Sequence, residues 1–220
     1  MATAYQIQRD LSKRLVLKRQ ADFKPRYVAG IDSSYIKGGN EIFAAVVVMG
    51  LPHLRVVEER SAVRRVDFPY IPGLLAFREG PAVLDAIEKV ESPLDVILID
   101  GQGIAHQRGM GIASHIGVLL DMPSVGCAKT KLVGNFDPPE DRPGATSPLI
   151  YGGKVVGAVL RTKKGVAPVF VSCGHKIDLE GAVELVMACL KGYRLPEPIR
   201  LADNLINRPP TPSPEQPKLF

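Results

Sequence analysis

At 220 residues and 45% hydrophobic side chains, the chain suits one globular domain with a sizeable core and leaves little room for two. Its 28 basic residues against 23 acidic give a formal charge of +5, a mild excess that permits a nucleic acid partner without requiring one. Three cysteines at 127, 173 and 189 lack paired spacing, and four histidines form no HExxH, which argues against a disulfide scaffold and a closed zinc site.

Residues 5–20 read as a helix from Ile7, Leu11 and Leu15 at four-residue spacing. The segment is charged throughout, unlike a signal peptide, and no apolar run reaches membrane-spanning length, so the expected location is the cytoplasm. Arg9, Lys13, Arg14, Lys18, Arg19, Lys24 and Arg26 face only Asp10 and Asp22 there, giving either a solvated surface or a phosphate-touching edge. Strands are expected at 27–35, 41–51 and 55–66, with a Gly-Gly-Asn turn at 36–40; short links favour an antiparallel meander. Two prolines and a glycine make 68–73 a rigid loop, and an amphipathic helix follows to about Val90. The run 94–100 (LDVILID) reads as a buried parallel strand. A helix at 111–120, a strand at 124–128, a loop at 137–148, a strand pair at 153–160 and 168–173, and a helix at 178–192 complete the order. This predicts an α/β fold, a ribonuclease H-like mixed sheet flanked by helices, over residues 1–207. The proline-rich stretch 208–220 is expected to be a disordered tail.

The informative feature is where the acids fall. Asp32 follows the apolar segment VAGI and Asp100 follows VILI. A carboxylate at the end of a central strand is costly to desolvate unless it is paired. Neighbouring strands would bring both to one sheet edge, and Glu79, early on the helix after the rigid loop, could reach the same point. The choice is between a divalent metal held by oxygen, which points to Mg2+ or Mn2+, and separate surface positions. His106 could orient water or hold phosphate, and Lys129 could neutralise phosphate charge or simply be solvated. The loop Pro69-Tyr70-Ile71-Pro72 could insert between bases or pack its tyrosine inward.

Taken together, GIDSSY around Asp32, DFPYIPGLLAFREGPA at 67–82, IDGQGIAHQRGMGIASHIGVLLD at 99–121, VGCAKTKL at 125–132, VSCGHKI at 171–177 and KGYRLPEPIRLAD at 191–203 closely resemble the endonuclease V family. The resemblance implies Mg2+, or Mn2+, at Asp32, Glu79 and Asp100, with Asp203 as a supporting acid. It implies a catalytic-site Lys129 and a His106 near the flipped base. It places a strand-separating wedge at Pro69, Tyr70, Ile71 and Pro72, and a hypoxanthine pocket at Gly73, Leu75, Gly101, Gly111 and Leu132. The implied substrate is DNA containing deoxyinosine, cut by a monomer at the second phosphodiester 3′ to the lesion. Inosine-containing RNA and a non-catalytic inosine reader are the alternatives. Two positions depart from the family pattern: Gln102 stands where histidine is common, and Gln107 where proline is usual.

Overall fold

The structure is a computed structural model and describes residues 2–36 and 40–207. Most of the turn expected at 36–40 and the whole tail at 208–220 lie outside the described residues. Among the described residues there are thirteen elements. They are α1 (Ala2–Ser12), β1 (Tyr27–Tyr35), β2 (Glu41–Gly50), β3 (Arg55–Arg65), α2 (Leu75–Glu88), β4 (Val96–Ile99), α3 (Ile112–Leu120), β5 (Ser124–Ala128), β6 (Thr146–Tyr151), β7 (Lys154–Leu160), β8 (Val169–His175), α4 (Leu179–Ala188) and α5 (Glu197–Ile206). The strands form one sheet in the order β3-β2-β1-β4-β5-β8-β7-β6. The three middle strands β1, β4 and β5 run parallel, and the remaining pairs are antiparallel. This is the ribonuclease H-like arrangement that the order of elements predicts.

Period-two alternation divides the central strands between two cores. Val28, Val96 and Leu98 join the layer under α4 and α5. Ala29, Ile31, Ile97 and Ile99 join the layer under α2 and α3. The dense apolar run of β2 supplies both layers, with Val47 on one side and Val46 and Val48 on the other. Full burial of each such side chain contributes roughly 1.5–3 kcal/mol. One close approach sets the α5 layer: a Cβ on Gly30 would lie 2.1 Å from the Pro198 carbonyl carbon, so only glycine lets α5 lie this near β1.

Four expectations change. The first helix ends at Ser12 instead of residue 20, because the Val16 amide turns to His175 Nδ1 (3.3 Å) and the Val16 carbonyl accepts from the Lys176 amide (2.6 Å). β1 runs three residues past Asp32, so that acid is inside a strand, not at its end. β6 begins within the stretch expected to be loop. The helix expected at 178–192 stops at Ala188, and a further helix, α5, follows. The three cysteines are free and buried.

Candidate active site

Asp32 and Asp100 continue the even-numbered rows of Val28–Gly30 and Val96–Leu98, so both carboxylates emerge on the α5 side of the sheet. Registry pairs Ile31 with Ile99 across β1 and β4, which sets the two acids side by side. Asp203 comes from α5, one turn beyond the buried Ile199. Lys129 follows β5, the third parallel strand, whose Gly126 is in register with Ile99. The group thus forms beyond the carboxyl ends of neighbouring parallel strands, the usual place for a site in such sheets.

One carboxylate oxygen from each of Asp32, Asp100 and Asp203 lies within 4.8 Å of the other two. Lys129 Nζ sits among them, 2.6 Å from Asp100 Oδ2, 3.0 Å from Asp203 Oδ1 and 3.9 Å from Asp32 Oδ2. Glu79 approaches from the other side of β1. Ser33 Oγ donates to Glu79 Oε2 at 2.9 Å, and this residue of the opposite parity links the glutamate to the strand that carries Asp32.

Burial, and then the Asp100 carboxylate beside it, push Asp32 up to about 8. Burial also raises Asp100, against the opposing hydrogen bond from Lys129, and raises Glu79, against that from Ser33. Burial works against the Lys129 charge, but its bonds to Asp100 and Asp203 outweigh it and hold the ammonium above its ordinary range. Three carboxylates against one ammonium leave a formal excess of two negative charges, which one divalent cation offsets. Oxygens on opposite sides of an octahedral Mg2+ stand about 4 Å apart, close to the spread of this cluster. The all-oxygen donor set and its charge therefore fit a hard divalent cation.

A cavity of about 300 Å³ opens beside the acids, and Asp100 lines it. All five expected pocket residues, Gly73, Leu75, Gly101, Gly111 and Leu132, line its wall, with Tyr70, Ile71 and Pro72 at the rim. Two glycines are sterically required. A Cβ on Gly111 would meet the Gln102 carbonyl oxygen at 2.2 Å, and one on Gly101 would meet Ile112 Cγ2 at 2.6 Å on a backbone with φ of +155°. The rim loop is anchored from below by Phe68 stacked on Phe77 at 5.6 Å and by Arg78 Nη1 donating to the Phe68 carbonyl at 3.0 Å. Pro69 and Tyr70 are exposed, Tyr70 at 70%, so the tyrosine does not pack inward.

His106 also lines the cavity, but both ring nitrogens are engaged. Nδ1 accepts from the Arg108 amide at 3.1 Å, which leaves Nε2 to donate to the Gly73 carbonyl at 3.1 Å. Burial pushes its pKa down to about 4, so the ring is neutral and braces the rim loop. His115 packs edge-on against Phe77 at 4.9 Å, and His175 ties the N-terminal arm to Asp121, so both serve structure. The N-terminal basic residues are partly consumed in pairs: Lys13 with Asp10, and Arg19 with Asp178, Glu180 and Glu184.

Two supporting residues escape sequence reasoning. Gln102 Nε2 donates to the Thr130 carbonyl at 2.9 Å, and Arg194 Nη2 donates to the Lys129 carbonyl at 2.6 Å, so the backbone at Lys129 is held from both sides. Gln102 Oε1 is buried without a partner, an arrangement that costs about 1–3 kcal/mol. Gln102 was visible as a departure and Arg194 only as part of a motif block, and neither signal specifies a backbone contact.

Residues 9–204 match the family model described as Endonuclease V. The chain is similar to an endonuclease V of Trichormus variabilis, 50% identical over 202 residues that cover 92% of this chain and 91% of the relative. Its fold superposes on the crystal structure of endonuclease V from Streptomyces avermitilis with a TM-score of 0.89 at 42% identity, covering 93% and 90% of the two chains. It also superposes on the Ciona intestinalis endonuclease V bound to a 23mer DNA containing an inosine followed by a ribo-adenosine. That TM-score is 0.81 at 29% identity, covering 93% and 94% of the chains.

Proposed function

The chain belongs to the endonuclease V family, and from that premise we propose that it is a divalent-metal-dependent endonuclease acting on deoxyinosine in DNA. The bond cut is the second phosphodiester 3′ to the lesion, and the products are a 3′-hydroxyl and a 5′-phosphate. The observation that carries this reading is the continuity of acid cluster and cavity: Asp100 belongs to both, and Gly101 begins the pocket wall.

Asp32, Asp100 and Asp203 would hold the cation, Mg2+ or Mn2+, with Glu79 completing the set from α2. When bound, the ion supplies charge to activate the attacking water and to offset charge on the departing 3′ oxygen. Water adds to phosphorus, the bond from phosphorus to the 3′ oxygen breaks, and that oxygen leaves as the hydroxyl. Lys129 stands beside the acids with its charge secured, ready to stabilise the phosphate as negative charge builds. The rim residues Pro69, Tyr70, Ile71 and Pro72 would fill the gap in the base stack when the inosine leaves the duplex. The glycine-lined wall would seat hypoxanthine and leave no space for an exocyclic amino group.

The test is nicking of end-labelled duplexes carrying one inosine or none, with Mg2+ and with EDTA. Cleavage one nucleotide beyond the inosine, abolished by EDTA, is expected. Equal cutting of the inosine-free duplex would overturn the substrate, and cutting that survives EDTA would overturn the metal requirement. The ribo-adenosine after the inosine in the Ciona complex favours one second reading, inosine-containing RNA. A matched RNA in the same assay decides between the two sugars.

A further inference from the structure

Three side chains, one from α1 and two from the loop between β4 and α3, converge on one carbonyl. The Gly73 oxygen accepts from Gln8 Nε2 at 3.0 Å, from Arg108 Nη2 at 2.7 Å and from His106 Nε2 at 3.1 Å. A carbonyl oxygen has two lone pairs, so this acceptor is saturated and its position fixed. Gln8 also accepts from Arg108 Nε at 2.6 Å, and the Arg108 guanidinium stacks over Tyr5 at 4.7 Å, which orders two of the donors against each other. Gly73 closes the rigid rim loop, has a φ of +80° and lines the cavity.

Gln8 is the unusual member. It sits in the middle of the buried face of α1, between Ala4 and Leu11, and is only 1% exposed. An amphipathic helix that served packing alone would place an apolar residue there. The stretch matched to the family model begins one residue later, at residue 9. Loss of the Gln8 donor would leave only Arg108 and His106 on the Gly73 carbonyl and untie it from α1, and misplacement by about 1 Å is enough to cost up to a hundredfold at a preorganised site.

We propose that α1 acts through Gln8 as a positioning device for the base pocket, locking Gly73 and with it the Tyr70–Ile71 rim. This rests on the reading of the cavity as the inosine pocket. Gln8 acts through the loop and touches neither the acid cluster nor the scissile region. Its removal therefore belongs in base capture, not in the chemical step.

The test compares the full-length protein with Gln8→Met, which keeps volume and removes all three side-chain bonds, to Gly73, to Met110 and from Arg108, and Gln8→Glu, which keeps the acceptor for Arg108 and removes the donor to Gly73 and Met110. Cleavage kinetics on inosine and guanosine duplexes, Mn2+ affinity by calorimetry, and amide hydrogen exchange over residues 70–75 are measured. Gln8→Met should raise KM on inosine DNA by about tenfold and narrow the preference over guanosine, since loss of preorganisation falls on binding. Values of kcat and Mn2+ affinity should stay near wild type, and exchange over 70–75 should rise. Gln8→Glu should fall between the two, and it decides the matter should Gln8→Met fail to fold. Unchanged KM and unchanged exchange would overturn the proposal, as would a loss confined to kcat. A wild-type protein indifferent to inosine would overturn the pocket reading instead, and exchange over 70–75 would then judge the clamp by itself.

Discussion

Each acid in the cluster arrives by a different route, so substitutions should separate their contributions. Asp32→Asn or Asp100→Asn removes a charge from a buried strand-borne pair, and nicking should fall by about a thousandfold or more, the scale of losing electrostatic stabilisation at a reacting phosphate. Thermal stability of Asp32→Asn should not fall, since a carboxyl pushed up to about 8 by burial gains little from ionising in the fold. Glu79→Gln keeps a hydrogen-bonding partner for Ser33 and should lose activity while keeping the fold. Full nicking by all three purified variants would refute the metal assignment. Gln102 offers a subtler test. Gln102→His can still present a ring N–H toward the Thr130 carbonyl, whereas Gln102→Met cannot. The histidine variant should keep near-wild-type nicking and the methionine variant should lose about tenfold, as the Lys129 backbone loosens. Equal activities would show that the bond to Thr130 does not matter. Asp32 and Asp100 were legible because a charge after VAGI or VILI conflicts with its surroundings. Asp203 was not legible from pattern, because an acid on an amphipathic helix looks like ordinary surface, and only the family block marked it.

The elements bring these residues together through packing that sequence patterns show only in part. α5 reaches the site because Gly30 has no side chain. Gly30→Ala would place a methyl inside the Pro198 backbone, so α5 must shift. Overpacking of this kind costs about 1–3 kcal/mol or more. The expected outcome is a lowered Tm together with weaker Mn2+ binding, since Asp203 moves with α5. A stability loss with Mn2+ affinity intact would mean that α5 does not position a ligand. The α2–α3 contact carries a pH signature. Burial lowers His115 to about 4 from the ordinary 6.5, and His106 behaves in the same way. The unfolded chain therefore takes up these protons first. The stabilising contribution is complete above about pH 6.5 and is lost as pH falls through 4. His115→Leu should flatten urea stability across that window by the share of one histidine. An unchanged slope would assign the effect elsewhere. The parallel and antiparallel strands were readable from alternation and apolar runs. β6 was not, because Pro148 and the surrounding small and polar residues read as loop while tertiary pairing with β7 makes a strand. The helical spacing outruns the first helix because Leu15 packs with Leu11, Met110 and Val118 although the backbone there has left the helix.

Across the whole molecule, the site is where distant stretches of chain are pulled together without a covalent link. Asp32, Asp100 and Asp203 belong to β1, the end of β4 and α5, and Lys129 follows β5. In the structure, one ammonium balances part of their charge and leaves a formal negative excess at the carboxyl ends of the parallel strands. A divalent cation at the cluster should therefore stabilise the entire fold, because the unfolded chain cannot present these oxygens together. At a free concentration of 100 times Kd the linkage gives about 2.7 kcal/mol. For a domain of this size that corresponds to a rise in Tm of roughly 5–10 °C, from about 2–4 °C per kcal/mol. Calorimetry with Mg2+ or Mn2+ against EDTA should show that rise in the wild type and little of it in Asp203→Asn. Lys129→Met gives the complementary reading. Without the internal cation, the metal-free protein should lose stability, and added Mn2+ should restore more than it gives the wild type. If Mn2+ leaves Tm unmoved in both, the acids do not act as one site, and the charge cluster would be held by Lys129 alone.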